Sequence, residues 1–525
     1  MKTSLIITTI LLLSSICISP VFSQDYIEGY VYEDINQTGS KDPGDLGIAN
    51  VMVSNQHEVV LTDSEGWYRL PIKDEMIVFI TKPSEYDFVL NSLNLPQFYY
   101  IHHSQGSPKL EYPGIEPTGK LPQSVDFGLI ASKKKDEFKA LVFGDPQTTN
   151  NREMDYFRDA FINEFVGHDL NMAFVLGDIM NNNLSLYTRY NKLMSKIDVP
   201  IINIFGNHDI NFDADGNRYA RETFKSHYGP TYYSFNEGNA HFIVLDNIDY
   251  LGYDESGTSS YVGNLREGQL EWLSNNLEHL DNDQLIVLMA HIPLYAPGRD
   301  ESASLRTNDR TQLIELLEDF KHVLFMGGHV HTISNTFLGS EFGRKQDKPI
   351  HQLLAAAPSG SWWAGPIQKD GIPVSTQRDG SPKGYHIITF EGLHYQDMYQ
   401  AAGLSTNYQM RIESPKGAIA LKEIDEIKIK VNVFNSSKKS KVKYRLNSGN
   451  WVKMEQDGLQ KSTFFTEMIN NHNNKFSNWI RPVKTRNIWS SKLPDNIKPG
   501  THQLDVHTTD MYGNEYKKTK IIEVH

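Results

Sequence analysis

Five short apolar runs in this chain each stop on residues that can offer a lone pair or a charge to a cation. Ala140–Phe143 leads into Gly144-Asp145-Pro146-Gln147, and Ala173–Leu176 leads into Gly177-Asp178. Ile201–Phe205 leads into Gly206-Asn207-His208-Asp209, Leu285–Ala290 into His291, and Val323–Met326 into Gly327-Gly328-His329-Val330-His331. In an open α/β sheet the ligand crevice lies beyond the carboxyl ends of the strands. Residues just past five strands therefore converge, although they are scattered along the chain. What converges is a set of oxygen and imidazole donors, the kind that holds two divalent ions bridged by one carboxylate. Each ending alone is weak, because Gly-Asp and Gly-Asn are more often turns and a lone His after a strand is more often a satisfied core or surface residue. Phe242–Leu245 also ends on an acid, Asp246, to which no role is assigned. Five such endings in order make coincidence the minor reading.

The ordered set resembles the calcineurin-like metallophosphoesterase superfamily, whose pattern runs Asp-x-His, Gly-Asp, Gly-Asn-His-Asp/Glu, a single His, then Gly-His-x-His. The resemblance covers about residues 138–390 and is most specific at 206–209 and 328–331. It implies a first metal held by Asp145, Gln147, Asp178 and His331, and a second held by Asp178, Asn207, His291 and His329, with Asp178 as the bridge. Gln147 stands where the family usually has His. Its carbonyl is a harder and weaker donor, which tilts the expected pair of divalent ions toward Mn, Fe or Mg over Zn. The resemblance further implies hydrolysis of a phosphate mono- or diester by a metal-activated hydroxide. His208 would stabilise the transition state or protonate the leaving oxygen, with Asp209 orienting its ring and favouring imidazolium.

Two other stretches carry expectations. Trp362 and Trp363, with Arg378 further on, form an aromatic and charged loop cluster. The tryptophans are candidates to stack a base or sugar, and Arg378 is a candidate to pair a second phosphate. Loop packing against the C-terminal domain is an equal alternative. Asp34, Asn36, Thr38, Asp42 and Asp45 nearly keep the spacing of an EF-hand loop and could hold a structural calcium. Their flanks read as strand where an EF-hand has helices, so a plain turn-rich loop competes.

The elements that must position these residues fall into three regions. Residues 24–131 alternate apolar and polar with frequent turns, as in Trp67-Tyr68-Arg69-Leu70, predicting a small all-β sandwich. Residues 137–398, past the charged seam at Ser132–Asp136, alternate apolar runs with helical stripes such as Phe157, Phe161, Ile162 and Phe165. They predict an α/β catalytic domain, and the family likeness implies a layered α/β/β/α sandwich. Residues 399–525 return to alternation, as in Ile427–Val433, and predict an immunoglobulin-like β-sandwich.

Residues 1–23 read as a signal peptide, with Lys2 before an apolar stretch and Val21-Phe22-Ser23 ahead of a cleavage point. The expected destination is the periplasm or the outside of the cell, with no membrane span after cleavage. Cys17, the one cysteine, lies in that leader, so disulfides and thiolate ligands are excluded from the mature chain. A net charge of -13 opposes binding to duplex nucleic acid. The expected partner is a small or oligomeric phosphate-ester substrate. The competing reading is a secreted carbohydrate- or surface-binding protein with a decayed hydrolase core, for which Gln147 is the best support. An amidohydrolase-type binuclear enzyme ranks lower, because there His-x-His opens the catalytic domain, whereas His329 and His331 follow its last strand.

Overall fold

The computed structural model describes residues 26–73, 75–254, 257–299, 301–456 and 458–525. The expected signal peptide at residues 1–23, with Cys17, lies outside the described residues.

Two sheets build the middle of the chain. The first has the strand order Ile201–Asn203, Met172–Val175, Glu137–Phe143, Gly384–Glu391, His394–Ala401. Its first three strands run parallel and its last two are antiparallel. The second has the order Tyr233–Glu237, Ala240–Val244, Leu285–Met289, His322–Gly327, Ile350–Leu354, Ser334–Leu338, with the four inner strands parallel. These central strands are buried throughout and, His241 apart, apolar, because both of their faces are covered.

Alternation along one strand shows what covers each face. Phe138, Ala140 and Val142 belong to a core shared with the second sheet, and Phe138 and Phe174 both meet Phe242, at centroid distances of 6.0 and 5.4 Å. Leu141 and Phe143 point the other way, into a core made with Met154, Phe157, Phe161 and Phe165. Those four come from the helix Asn151–Phe157 and its continuation through a wide turn. The helix starts where Asn150 accepts hydrogen bonds from the backbone N–H groups of Arg152 and Glu153. On the far side, Trp272, Leu273, Leu313 and Ile314 from the helices Glu267–Leu277 and Arg310–Leu316 join the second sheet's core.

Residues before 132 form a five-stranded and a four-stranded sheet around Val31, Val53, Leu70, Val78 and Leu129. They dock on the middle through Phe88 and Phe98 against Phe235 and Tyr233, and through a buried Lys82–Glu237 ion pair at 3.2 Å. Residues after 409 form a three-stranded and a five-stranded sheet around Ile429, Val431, Val442, Leu504 and Val506. The helix Thr463–Asn471 and the segment that follows it leave this second sandwich and reach back to the middle of the chain. There Val483 N donates to Arg378 O, and the Asn487 amide donates to Ile333 O and Asp379 Oδ2.

Asp34, Asn36, Thr38, Asp42 and Asp45 lie between the strands Tyr26–Glu33 and Leu46–Gly47, with no helix on either side. Their polar atoms bond one another. Asp34 accepts from Thr38 N and Gly39 N, Asp42 Oδ2 accepts from Asn36 and Thr38, and Asp45 accepts from Asp42 N. The flanks are the strands the sequence predicts and not the helices of an EF-hand, and the loop's polar side chains are drawn together by these bonds.

Candidate metal centre

All seven donors named from the sequence meet beyond the strand ends. Asp145, Asp178 and His291 are at most 1% exposed, and Gln147, Asn207 and His331 are also buried. Close approach demands glycine at two points. A Cβ on Gly177, at φ +89°, would fall 2.5 Å from His291 Nδ1, and one on Gly206 would fall 2.0 Å from Asp178 N. Gln147, Asp178, His329 and His331 themselves adopt left-handed backbone, with φ of 42°, 49°, 71° and 50°. For side-chain-bearing residues that conformation costs about 1 kcal/mol or more each, and such strain collects at functional sites.

Around the middle of the cluster, His291 Nε2 lies 3.2 Å from Asp178 Oδ2, 3.1 Å from Asn207 Oδ1 and 3.2 Å from His329 Nδ1. Asp178, His291 and His329 bring ligand atoms within 4.8 Å of one another. On the other side, Gln147 Nε2 is 3.3 Å from Asp178 Oδ2, and His331 Nε2 is 3.7 Å from Asp145 Oδ1. The Asp145 carboxylate also accepts from His329 N.

The outer shell decides which atoms face inward. His291 Nδ1–H donates to Leu176 O at 2.7 Å, His329 Nε2–H to Ser304 O at 2.9 Å, and His331 Nδ1–H to Gly360 O at 2.5 Å. Each ring thereby spends its proton on a backbone carbonyl and turns its second nitrogen to the centre, the arrangement that orients metal-ligating imidazoles. Gln147 Oε1 is buried without a hydrogen-bond partner, which in a folded interior calls for a ligand. The residues present fit divalent cations.

Charge follows the same geometry. Burial and the charge on His291 hold His329 well below the ordinary imidazole value, and burial takes His331 down to about 3. Both are therefore neutral donors. Burial alone would lower His291 too, but Asp178 and then Asp145 outweigh it and raise it to about 9. Asp178 is buried yet held below the usual carboxylate range by His291 and His208, whereas burial pushes Asp145 up to about 7.

His208 is half-buried at the rim, and its backbone N–H donates to Asp178 Oδ1 at 2.8 Å. Its Nδ1 pairs with Asn182 Oδ1 at 2.6 Å, while Asn182 N donates to His208 O. The expectation that Asp209 orients this ring is corrected here. Asp209 is fully buried and accepts from Ile179 N, Met180 N, Gly206 N and Tyr187 Oη, which ties two ligand loops together. Nor is imidazolium favoured, since burial lowers His208 despite Asp178.

The tryptophans are corrected as well. Trp363 turns into the core, where its Nε1 donates to Pro146 O at 2.9 Å and its ring meets Tyr156 and Phe161. Trp362 lies stacked on His331 at 4.0 Å and 23°, with Trp479 edge-on at 4.3 Å. It is a support for a ligand ring, and the exposed aromatic at this rim is Trp479, 59% accessible, from the C-terminal region. Arg378 stands 5.8 Å over the Trp362 ring. Asn182 and Trp479 were missed in the sequence. The Asn181-Asn182-Asn183 run after Asp178 was the available signal for Asn182, and none pointed to Trp479.

Models of the N-terminal, catalytic and C-terminal parts of calcineurin-like phosphoesterases match residues 35–112, 138–332 and 353–516 in that order. Purple acid phosphatase 15 of Arabidopsis thaliana is 32% identical over 145 residues, 25% of this chain and 24% of that protein. Purple acid phosphatase 13 of the same plant is 26% identical over 177 residues, 31% and 30% respectively, so the chain spans less than a third of either relative. Among solved structures, a dimetal phosphatase from Danio rerio aligns with 50% of this chain and 98% of its own, at 14% identity and TM-score 0.34. A purple acid phosphatase from yellow lupin (Lupinus luteus) seeds aligns with 91% and 70%, at 12% identity and TM-score 0.30. The three models in register, and the five strand-end motifs gathered on one centre, place the chain in the calcineurin-like phosphoesterase superfamily, a family of metal-dependent phosphoester hydrolases.

Proposed function

We propose that this protein is an exported hydrolase of small phosphate mono- or diesters that works with two divalent ions. The observation that carries the reading is the inward-facing donor set, three imidazoles oriented by backbone carbonyls beside the orphaned Gln147 oxygen. Asp145, Gln147, Asp178 and His331 would hold one ion, and Asp178, Asn207, His291 and His329 the other, with Mn, Fe or Mg favoured over Zn by the amide and carboxylate oxygens. When bound, the ions supply the positive charge that neutralises phosphoryl oxygens and acidifies water. The layers of helix, sheet, sheet and helix read as an α/β/β/α sandwich that holds these loops. The apolar leader supports export to the periplasm or beyond the cell.

The chain's own residues supply position and a proton. The short bond from Nδ1–H to Asn182 Oδ1 fixes the His208 ring and leaves Nε2 bare, so that a proton for the departing ester oxygen is first taken up there from water. Asp209 keeps the loops of Asp178 and Asn207 in register through its four hydrogen bonds.

The test uses protein stripped of metal and resupplied with Mn²⁺, Mg²⁺, Fe²⁺ or Zn²⁺ singly, on p-nitrophenyl phosphate and bis-p-nitrophenyl phosphate. Hydrolysis restored by a metal and lost in Asp178→Asn supports the proposal, and the preferred ester separates mono- from diesterase. Silence with every metal, with none bound by elemental analysis, would leave the binding-protein reading.

A further inference from the structure

Beside the centre lies a small solvent-open depression with about 20 Å³ of room, walled by the turn at Ala296–Arg299, by Val330 and the residues after His331, and by Val483–Arg486 of the C-terminal region. None of the seven donors lines it, although Val330 stands between His329 and His331 and forms a shared wall. Arg299, Lys484 and Arg486 bring three positive charges to its lining, and Thr332, Ser334 and Thr485 bring hydroxyls. In a chain of net charge -13 this is a local reversal of sign.

Arg299 is the telling residue. Its Nη1 is buried with no hydrogen-bond partner. Among the described residues no carboxylate forms an ion pair with Arg299, Lys484, Arg486 or the nearby Arg378. The positive charge of Arg299 reaches both His329 and Arg378, and that of Arg378 reaches His331. Two guanidinium groups therefore flank the His-x-His pair, with no acid among the described residues to balance either. A half-buried guanidinium with one nitrogen shut off from both water and partner is unfavourable, and an anion held in its fork relieves that cost with charge-assisted bonds.

We infer that this depression is a second anion subsite, and that the substrate is a phosphate ester carrying another anionic group, such as a carboxylate, sulfate or second phosphate. The inference deepens the phosphoesterase reading and, where it names a substrate, rests on it. The scissile ester would sit at the donor cluster and the second anion between Arg299 and Lys484, so that the substrate lies across the seam between the catalytic and C-terminal regions.

Phenyl phosphate and 3-carboxyphenyl phosphate, compared at constant ionic strength, test it on the metal-loaded full chain. Wild type is expected to favour the carboxylated ester roughly tenfold in kcat/KM, mostly through KM, as one added charge-assisted contact would give. Arg299→Gln and Lys484→Gln should each pull that ratio toward one, and Arg299→Lys should keep part of it. Lys484 is exposed, so its variant guards against a misfolded Arg299 variant. A wild-type ratio near one, or a ratio unmoved by both variants, overturns the subsite. Separately, metal-free protein is titrated with benzene-1,3-disulfonate, following tryptophan fluorescence. Binding that disappears in Arg299→Gln, in a protein that hydrolyses neither ester, would sink the phosphoesterase reading and keep the anion site. Hydrolysis of both esters without preference or disulfonate binding would do the reverse.

Discussion

Loading the centre should expel a proton from His291. Its imidazole is held at about 9 by Asp178, 3.2 Å away, against the opposing effect of burial. At pH 7 the metal-free ring is therefore charged, whereas a ligating imidazole must be neutral. Metal uptake at pH 7 should release about one proton from this residue, and apparent affinity should rise at least tenfold per pH unit below about 9. Between pH 6.5 and 8.5 that amounts to about 100-fold, or ~2.7 kcal/mol. In the metal-free protein the same raised value stabilises the fold fully below the unfolded value of 6.5, and that contribution is lost as pH rises through about 9. Titrating Mn²⁺ calorimetrically in two buffers of different ionisation enthalpy counts the protons, and His291→Gln should remove this one. An affinity that stays flat from pH 6.5 to 8.5, with no proton released at pH 7, would refute the charge assignment for the cluster.

Asn182→Ala should cut kcat roughly 10–100-fold with metal content unchanged, because an outer partner that fixes a ring is usually worth that much; steady-state kinetics with elemental analysis decides it. Asp246 accepts from Arg221, Arg266, Thr231 and Ile248 N in the interior. Asp246→Ala should cost about 3–5 kcal/mol in urea unfolding by stranding the Arg221 charge, and Asp246→Leu with Arg221→Leu should recover most of it. His351 sits neutral between Tyr395 Oη at 2.7 Å and Asn335 Oδ1 at 2.9 Å, and burial takes it down to about 4. Its contribution is whole above pH 6.5 and drains as pH falls toward 4, with about 2 kcal/mol gone at pH 5. His351→Gln should flatten that acid limb in denaturation measured at pH 7 and 5.

The donor set could be read from the sequence because each donor follows an apolar run, and strand ends in a parallel sheet share an edge. Asp246 shows the limit of that rule. It ends a run just as Asp178 does, yet Arg221 and Arg266 consume its carboxylate. His208 and Asn182 pair across 26 residues through a turn whose polar composition resembles any other turn. Trp362 and Trp363 are chemically alike and adjacent. Only the left-handed backbone at both, φ 53° and 54°, sends one against His331 and the other into the core. Trp479 and Val483–Arg486 approach the centre because a β-sandwich extends a segment across the seam, and no periodicity in the chain encodes that reach.

The left-handed backbone at Gln147, Asp178, His329 and His331 also sets strain against ligation in the same four residues. Glycine would relax each of these positions at once, and a lineage with no further use for the centre would gain stability with each such replacement. Drift alone would erode this patch of the sequence sooner than an ordinary loop, since relief of strain and loss of the donor come in the same substitution. At each of the four positions, relief of the strain and retention of the donor exclude one another.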